Sequence, residues 1–105
     1  MVEFSNNLYI SDSLNKKEGR IRRSLRMRRG LIKVYIISIC DGTDQLEIYN
    51  SSILKQKLYR YMNIRIVGIT DSMEDATNYV IKLVEDNLRL YGNADIKSTV
   101  LKGFM

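Results

Sequence analysis

Basic side chains crowd one short segment of the chain, between Asn15 and Gly30. Its sequence, NKKEGRIRRSLRMRRG, holds eight Lys or Arg residues against one acid, Glu18. The segment therefore carries a local charge of +7, while the rest of the chain, with 9 bases and 11 acids, sums to −2. Guanidinium and ammonium groups at this density suit the binding of phosphate and other polyanions. The charge asymmetry predicts an interaction surface in this segment.

The spacing of apolar residues in the basic segment predicts a helix with two different faces. At about 100° per residue, Leu14, Ile21 and Leu25 fall on one narrow stripe that can dock on a core. Cations occupy the opposite side and the edges of that stripe. The predicted nucleic-acid or anion-binding residues are Lys16, Arg20, Arg22, Arg23, Arg26 and Arg29. Arg22 and Arg29 flank the stripe, and the other four face away from it.

This helix contains features that lower its own stability. Gly19 is about 1 kcal/mol less favourable than Ala inside a helix, and like charges repel at the i,i+3 pairs Arg20–Arg23 and Arg23–Arg26. Three interpretations stay open: a solvated face without a partner, nucleic acid bound through its phosphates, or a membrane surface or acidic protein. A membrane-bound helix needs bulky apolar residues on its buried face, and here the core requires them. We favour nucleic acid.

The composition argues against catalysis. The chain has no histidine, the usual general base near neutral pH, and its one cysteine, Cys40, has no histidine to activate it. The sequence also lacks the His or Cys clusters that hold transition metals. We therefore expect a non-enzymatic protein without a metal or a cofactor.

Length and targeting features suggest a single cytoplasmic domain. The 105 residues, 45% of them apolar, are enough for one core, so we expect one domain over residues 1–105. The sequence has no apolar run of the roughly 20 residues that cross a bilayer. Its first residues lack the basic-then-apolar layout of a signal peptide. A lone cysteine suits a reducing compartment.

Hydrophobic periodicity predicts a mixed order of elements around the basic helix, which should end near Arg29 before Gly30. The predicted strands are 8–11, 31–40, 45–50 and 64–70. Further helices are predicted from Ser51 or Ser52 to about Met62, over 71–92 with Asp71 and Glu74 as a capping box, and over 96–102. The order β-α-β-β-α-β-α is α/β (α+β), a ferredoxin-like split βαβ with an added long C-terminal helix.

Two of the predicted strands are apolar on both faces. In the second strand, Val34 and Ile36 lie on one face and Ile37 and Ile39 on the other, and Ile64–Thr70 has the same pattern. A strand of this kind must be covered on both sides. We expect the long helix, with its apolar positions Ala76, Tyr79, Val80, Leu83, Val84, Leu88 and Tyr91, to cover the second face. A homodimer is the alternative, and self-assembly is the competing functional hypothesis.

Short apolar motifs in the predicted strands also carry a resemblance. Leu46-Glu47-Ile48-Tyr49 with Leu54, and Val67-Gly68-Ile69 with Ala76, make the chain similar to a family of small bacterial α/β proteins of uncharacterised function. The resemblance covers most of the chain and implies a bacterial, cytosolic, single-domain protein. It implies no activity, cofactor or site residue.

Overall fold

A computed structural model describes residues 2–27, 33–40, 46–56, 63–92 and 96–104 of the chain. Its strands are β1 (Val2–Ile10), β2 (Tyr35–Cys40), β3 (Glu47–Asn50) and β4 (Ile64–Thr70). Its α-helices are α1 (Glu18–Arg26), α2 (Met73–Tyr91) and α3 (Ile96–Leu101). Short 3-10 helices cover Asp12–Lys17, Ser51–Lys55 and Lys102–Phe104. The protein is therefore mixed α/β, as the sequence predicts.

The four strands form one mixed sheet in the order β1-β4-β2-β3. β1 runs parallel to β4, and β2 is antiparallel to both β4 and β3. The predicted ferredoxin-like arrangement is wrong, because that fold places the first and third strands at the centre. Here β2 and β4 are central, since they are the strands with apolar side chains on both faces. β1 and β3 carry more polar residues and lie at the edges.

Helices cover both faces of the sheet. On one face, α1 and the 3-10 helix Ser51–Lys55 pack on a core that includes Ile21, Leu25 and Leu54. On the other face, α2 and α3 enclose a second core with Ala76 and Val100 at its centre. The expectation that the long helix covers the second face is confirmed. The result is three layers, where a ferredoxin-like sandwich has two.

The long helix α2 matches its predicted length but differs in its cap and its buried face. Ser72 is the N-cap, and its Oγ accepts the backbone N–H of Asp75 at 3.1 Å, so the predicted Asp71–Glu74 box is wrong. Gly92 ends the helix in a left-handed conformation, with φ of 70°, as glycine allows. Leu88 and Tyr91, predicted to be buried, are exposed. No helix in the described part of the chain is long and apolar enough to span a membrane.

Two other helices have boundaries that differ from the predicted ones: the helix after β3 and α1. The helix after β3 begins with a cap by Asn50, whose side chain accepts the Ser52 N–H at 3.1 Å, and it is 3-10 over Ser51–Lys55. The predicted continuation of this helix is wrong at Gln56, which is its C-cap in an extended conformation, and residues 57–62 lie outside the described residues. α1 ends at Arg26 with Met27 as its C-cap, and the predicted stop at Gly30 also lies outside them.

β1 begins six residues earlier than predicted because it contains a large bulge. Phe4 pairs with Ile66 and Tyr9 with Gly68, so residues 5–8 lie opposite Val67 alone. Ser5, in the bulge, is buried, and its Oγ accepts the backbone N–H of Asn7 at 3.1 Å. Gly103 packs directly on Ser5: a Cβ at Gly103 would lie 2.3 Å from the Ser5 Oγ. The C-terminal segment thus packs closely on the bulge at a residue without a Cβ, and a side chain there would displace the Ser5 hydroxyl.

We expect Gly103→Ala to destabilise the protein by about 1–3 kcal/mol, because the added methyl group overpacks the contact with Ser5. Chemical denaturation of the two proteins measures this difference. The double variant Gly103→Ala with Ser5→Ala should recover part of the loss, because it removes the clashing Oγ. Equal stability of Gly103→Ala and the wild type would contradict the close packing at this bulge.

Candidate functional site

The basic segment folds into two consecutive helical pieces that begin at Ser11. The 3-10 helix Asp12–Lys17 comes first, and α1 continues from Glu18 to Arg26. The backbone N–H of Leu14 donates to the Ser11 carbonyl at 2.8 Å and starts the first turn. Arg23 and Arg26 lie in the last turn of α1, where positive charge interacts favourably with the helix dipole.

Apolar side chains anchor the segment to the sheet as predicted. Ile21 is 0% exposed and Leu25 is 2% exposed, and both belong to the core between α1 and the sheet. Leu14 is half-buried and packs against the same core. Full burial of an Ile or Leu side chain stabilises by about 1.5–3 kcal/mol. These contacts fix which side of α1 faces water.

Four cations of the segment lie on its exposed side without a partner in the described part of the chain. Lys16, Lys17, Arg20 and Arg23 are exposed and form no ion pair or hydrogen bond with another described residue. Sequence reasoning placed Lys16, Arg20 and Arg23 in the site and left Lys17 at its edge. Together with Arg26 they define the basic surface. Four of the six predicted residues, Lys16, Arg20, Arg23 and Arg26, are thus exposed on consecutive turns of one helical segment.

Arg22 does not belong to the basic surface. Its Nη2 lies 3.0 Å from the Glu18 Oε2 one turn earlier, and its guanidinium carbon lies 5.1 Å from the centre of the Phe4 ring. Its Nε is buried and has no hydrogen-bond partner among the described residues. Arg22 therefore binds α1 to β1 rather than pointing outward. The other predicted flanking residue, Arg29, lies outside the described residues.

Phe4 is the residue of this site that the sequence analysis missed. The guanidinium carbon of Arg26 lies 5.0 Å from the same ring centre, so two arginines of one helix face contact one aromatic side chain. Arg26 itself stays exposed. The contact limits the conformations of the Arg26 side chain. Less conformational entropy is therefore lost when a ligand binds to its guanidinium.

A second polar cluster lies where the parallel strands β1 and β4 end. The Tyr9 hydroxyl donates to both Asp75 carboxylate oxygens, at 2.9 and 3.0 Å, and the Ser11 hydroxyl also donates to Asp75. The Asp71 N–H donates to the Ser11 Oγ at 3.2 Å, and the Ser13 hydroxyl donates to the Asp71 carboxylate. These bonds join the start of the basic segment to the start of α2. The carboxylates form an acidic border beside the basic surface.

The Tyr9 ring also stacks on the Tyr79 ring, with centres 4.2 Å apart and planes 10° from parallel. Burial, followed by the hydrogen bond to the Asp75 carboxylate, raises the pKa of Tyr9 above its ordinary value of 10.0. Burial also raises the pKa of Tyr79. Both phenols stay neutral near neutral pH, so neither can serve as a base there.

The described residues contain no metal-ligating cluster, and they line one small cavity between the sheet and the helices. They contain no group of three His, Cys, Asp or Glu side chains that could hold a metal ion. A cavity of about 200 Å³ lies between the β1 bulge, α2 and α3, with Ser5, Val67 and Leu83 in its lining. This volume is below the roughly 300–1,000 Å³ of typical ligand pockets.

Comparison with known proteins returns no significant match: no protein-family model, no curated protein and no solved structure matches the chain. The resemblance to small bacterial α/β proteins, and the bacterial origin that it implies, therefore stay predictions.

We expect Gly19→Ala to stabilise the protein by about 1 kcal/mol, because alanine restricts the unfolded chain and favours the helix. Gly19 is exposed in α1, and a Cβ there would meet no atom within 4 Å. Denaturant unfolding measures the gain. Since the substitution leaves every charge in place, binding through the basic surface should not weaken. A loss of stability would show that the segment is not helical at this residue.

We expect Tyr9 and Tyr79 to ionise above the ordinary tyrosine pKa of 10.0, as followed by ultraviolet absorbance of the folded protein. Because the folded pKa is raised, the stability from the neutral phenols is fully present below pH 10 and decreases as the pH rises through the folded values. Unfolding free energies measured from below pH 10 upward should therefore fall less steeply for Tyr9→Phe than for the wild type. Parallel curves would contradict the buried Tyr9–Asp75 contact.

Proposed function

We propose that this protein is a non-enzymatic binding module whose basic surface contacts the phosphate backbone of nucleic acid. The observation that carries the proposal is the combination of a buried anchor, Ile21 and Leu25, with exposed cations that lack an acidic partner among the described residues. A rigid scaffold that presents several cations together loses little entropy when a polyanion binds. It therefore suits a ligand with regularly spaced charges.

Repulsion between cations within α1 favours a polyanionic partner over a solvated face without a partner. Arg20 and Arg23 repel at i,i+3 spacing, and only Arg22 has an ion pair within the helix, with Glu18. Phosphates placed along the surface would neutralise that repulsion and release their condensed counterions. Arginine dominates the surface, and its planar fork of donors fits phosphate oxygens.

A membrane is a poorer fit for the same surface. A helix that lies in a lipid interface inserts a broad apolar face between the headgroups. In α1 the apolar residues Ile21 and Leu25 are enclosed by the sheet, and Met27 is the exposed large apolar side chain beside the cations. The surface therefore offers charge for electrostatic binding but little apolar area for insertion. An acidic protein stays the alternative anionic partner.

The absence of histidine and the single cysteine support a non-catalytic role in a reducing compartment, and we propose the cytoplasm. The Asp75 carboxylate accepts three hydrogen bonds from side chains, and two of them come from the neutral phenol of Tyr9. Both groups are therefore already hydrogen-bonded within the fold. These hydrogen bonds have a structural role, because they connect β1 to the start of α2. The competing hypothesis, an assembly protein without a nucleic-acid role, predicts that the basic surface can be neutralised without loss of function.

The test is a salt titration of binding to duplex DNA and to single-stranded RNA, starting at about 50 mM salt. We expect log K to fall linearly with log salt, with a slope of about 0.9 per neutralised phosphate on B-form DNA. Arg20→Gln with Arg23→Gln should weaken binding and reduce that slope by up to about 2. This double variant should fold as stably as the wild type, since the substitutions remove the repulsion between Arg20 and Arg23.

A matched control removes two charges from the other side of the sheet. Lys82→Gln with Lys102→Gln changes two exposed lysines on α2 and the C-terminal 3-10 helix, and it lowers the formal net charge of +5 by the same amount. This control should retain the wild-type slope. Absence of binding to either nucleic acid at low salt, or an equal loss in both double variants, would refute a specific basic surface.

A further inference from the structure

The helix α2 carries a second apolar stripe in addition to the one that packs on the sheet. Ala76, Val80 and Leu83 face the core. On an adjacent side, Met73, Ile81, Val84 and Leu88 fall within an arc of about 80°. We call these four residues the α2 stripe. Met73 is 46% exposed, Ile81 49% and Leu88 47%, and Val84 is half-buried.

The length of the α2 stripe distinguishes it from scattered surface residues, and the exposed Thr77 is a polar residue within its arc. It extends over fifteen residue steps, from Met73 to Leu88, or about 22 Å of helix. Half-buried Leu46 and Ile48 of the β3 region pack against the same core as α2, so the sheet adds partly open apolar surface on this face. Single exposed apolar side chains are normal, whereas an apolar stripe of this length along one helix is typical of an interaction surface.

We propose that the α2 stripe pairs with the α2 stripe of a second copy of this chain, antiparallel and related by a two-fold axis. In this arrangement Ile81 of one copy lies opposite Val84 of the other, and the contact is self-complementary, as a two-fold interface requires. The pairing goes beyond the proposed nucleic-acid role and uses the opposite face of the sheet.

Charge along α2 selects the antiparallel direction. Glu74 lies in the first turn of α2 and Arg89 in its last turn, both on the outer side of the stripe. Arg89 also forms an exposed ion pair with Asp86 of its own helix at 3.2 Å, and a second copy would add Glu74 to that pair. With Ile81 opposite Val84, Arg89 of one copy comes within about two residues, or 3 Å along the axis, of Glu74 of the other. A parallel pair would instead place Glu74 beside Glu74 and Arg89 beside Arg89. Antiparallel pairing also opposes the two helix dipoles.

The charges beside the stripe also argue against a lipid surface as its occupant. Amphipathic helices that lie on membranes carry Lys and Arg beside their apolar face. The outer border of the α2 stripe instead carries Glu74 and Glu85, which anionic headgroups would repel. A second copy can pair Glu74 with Arg89, and it places Glu85 near the uncharged Asn78.

Sedimentation equilibrium of the full chain, at concentrations up to about 1 mM, tests the pairing. We expect a reversible monomer–dimer equilibrium. Ile81→Glu and Leu88→Glu should each weaken the dimer by about tenfold or more, because each buries a charge in the contact. Leu90→Glu is the matched control: Leu90 is 65% exposed on the same helix but lies outside the stripe, so this variant should dimerise as the wild type does.

A charge exchange tests the direction of pairing. Glu74→Arg and Arg89→Glu should each weaken the dimer, and the double variant should restore it, since the antiparallel pair is then re-formed with reversed signs. A chain that stays monomeric at every concentration would overturn the proposal. So would a dimer insensitive to Ile81→Glu, or a monomer that binds phosphatidylcholine–phosphatidylglycerol vesicles through Ile81. These readouts require no nucleic acid, so they are independent of the basic surface.

Discussion

The burial of Ile21 and Leu25 under the sheet is the interaction on which the basic surface depends. Together the two side chains stabilise the docked helix by about 3–6 kcal/mol. Opposing terms are smaller: about 1 kcal/mol for Gly19 and about 0.2–0.5 kcal/mol for each repelling pair of arginines. The apolar contacts therefore prevail and hold α1 in place despite its charge. Without them, the cations would lie on a segment too short to stay helical alone.

The double-sided sheet separates two surfaces of different character. β2 and β4 bury side chains on both faces, so each face must carry its own layer of helix. α1 and the basic surface lie on one side, and α2 with its exposed stripe lies on the other. A two-fold pair formed through α2 would carry two basic surfaces, one on each copy. Such a pair could contact one long polyanion twice, and the second contact would benefit from a high effective concentration.

Several features of the site could be predicted from the sequence because they depend on local periodicity. The positions of Leu14, Ile21 and Leu25 predicted both the anchor and the outward direction of Arg20 and Arg23. The ion pair of Arg22 with Glu18 could also be predicted from the sequence, since the two residues are four apart on a helix. Phe4 was not, because Ser5, Asn6 and Asn7 interrupt the alternation of β1 and hide its first half. Such a bulge depends on long-range contacts, here with Gly103.

The order of the strands was predictable in principle but was assigned wrongly. In the sequence, the second and fourth strands are apolar on both faces. Those two strands should be central for that reason, whereas the ferredoxin-like arrangement places the fourth strand at an edge. The pattern of elements along the chain was given more weight than burial. Burial is the better guide, because leaving Ile64, Ile66 and Ile69 at an edge would expose apolar area that the observed order encloses.

The helices α1 and α2 each carry side chains beyond those that pack on the sheet, and the two sets differ in character. α1 has only the apolar residues that the core requires, and its excess is positive charge. The apolar positions of α2, from Tyr79 to Ile81 around the helix axis, cover about 200°, whereas packing on a sheet needs an arc of about 100°. Its excess is therefore apolar area. Packing on the sheet requires neither excess, and for this reason we propose a different kind of partner for each helix, a polyanion for α1 and an apolar helix for α2.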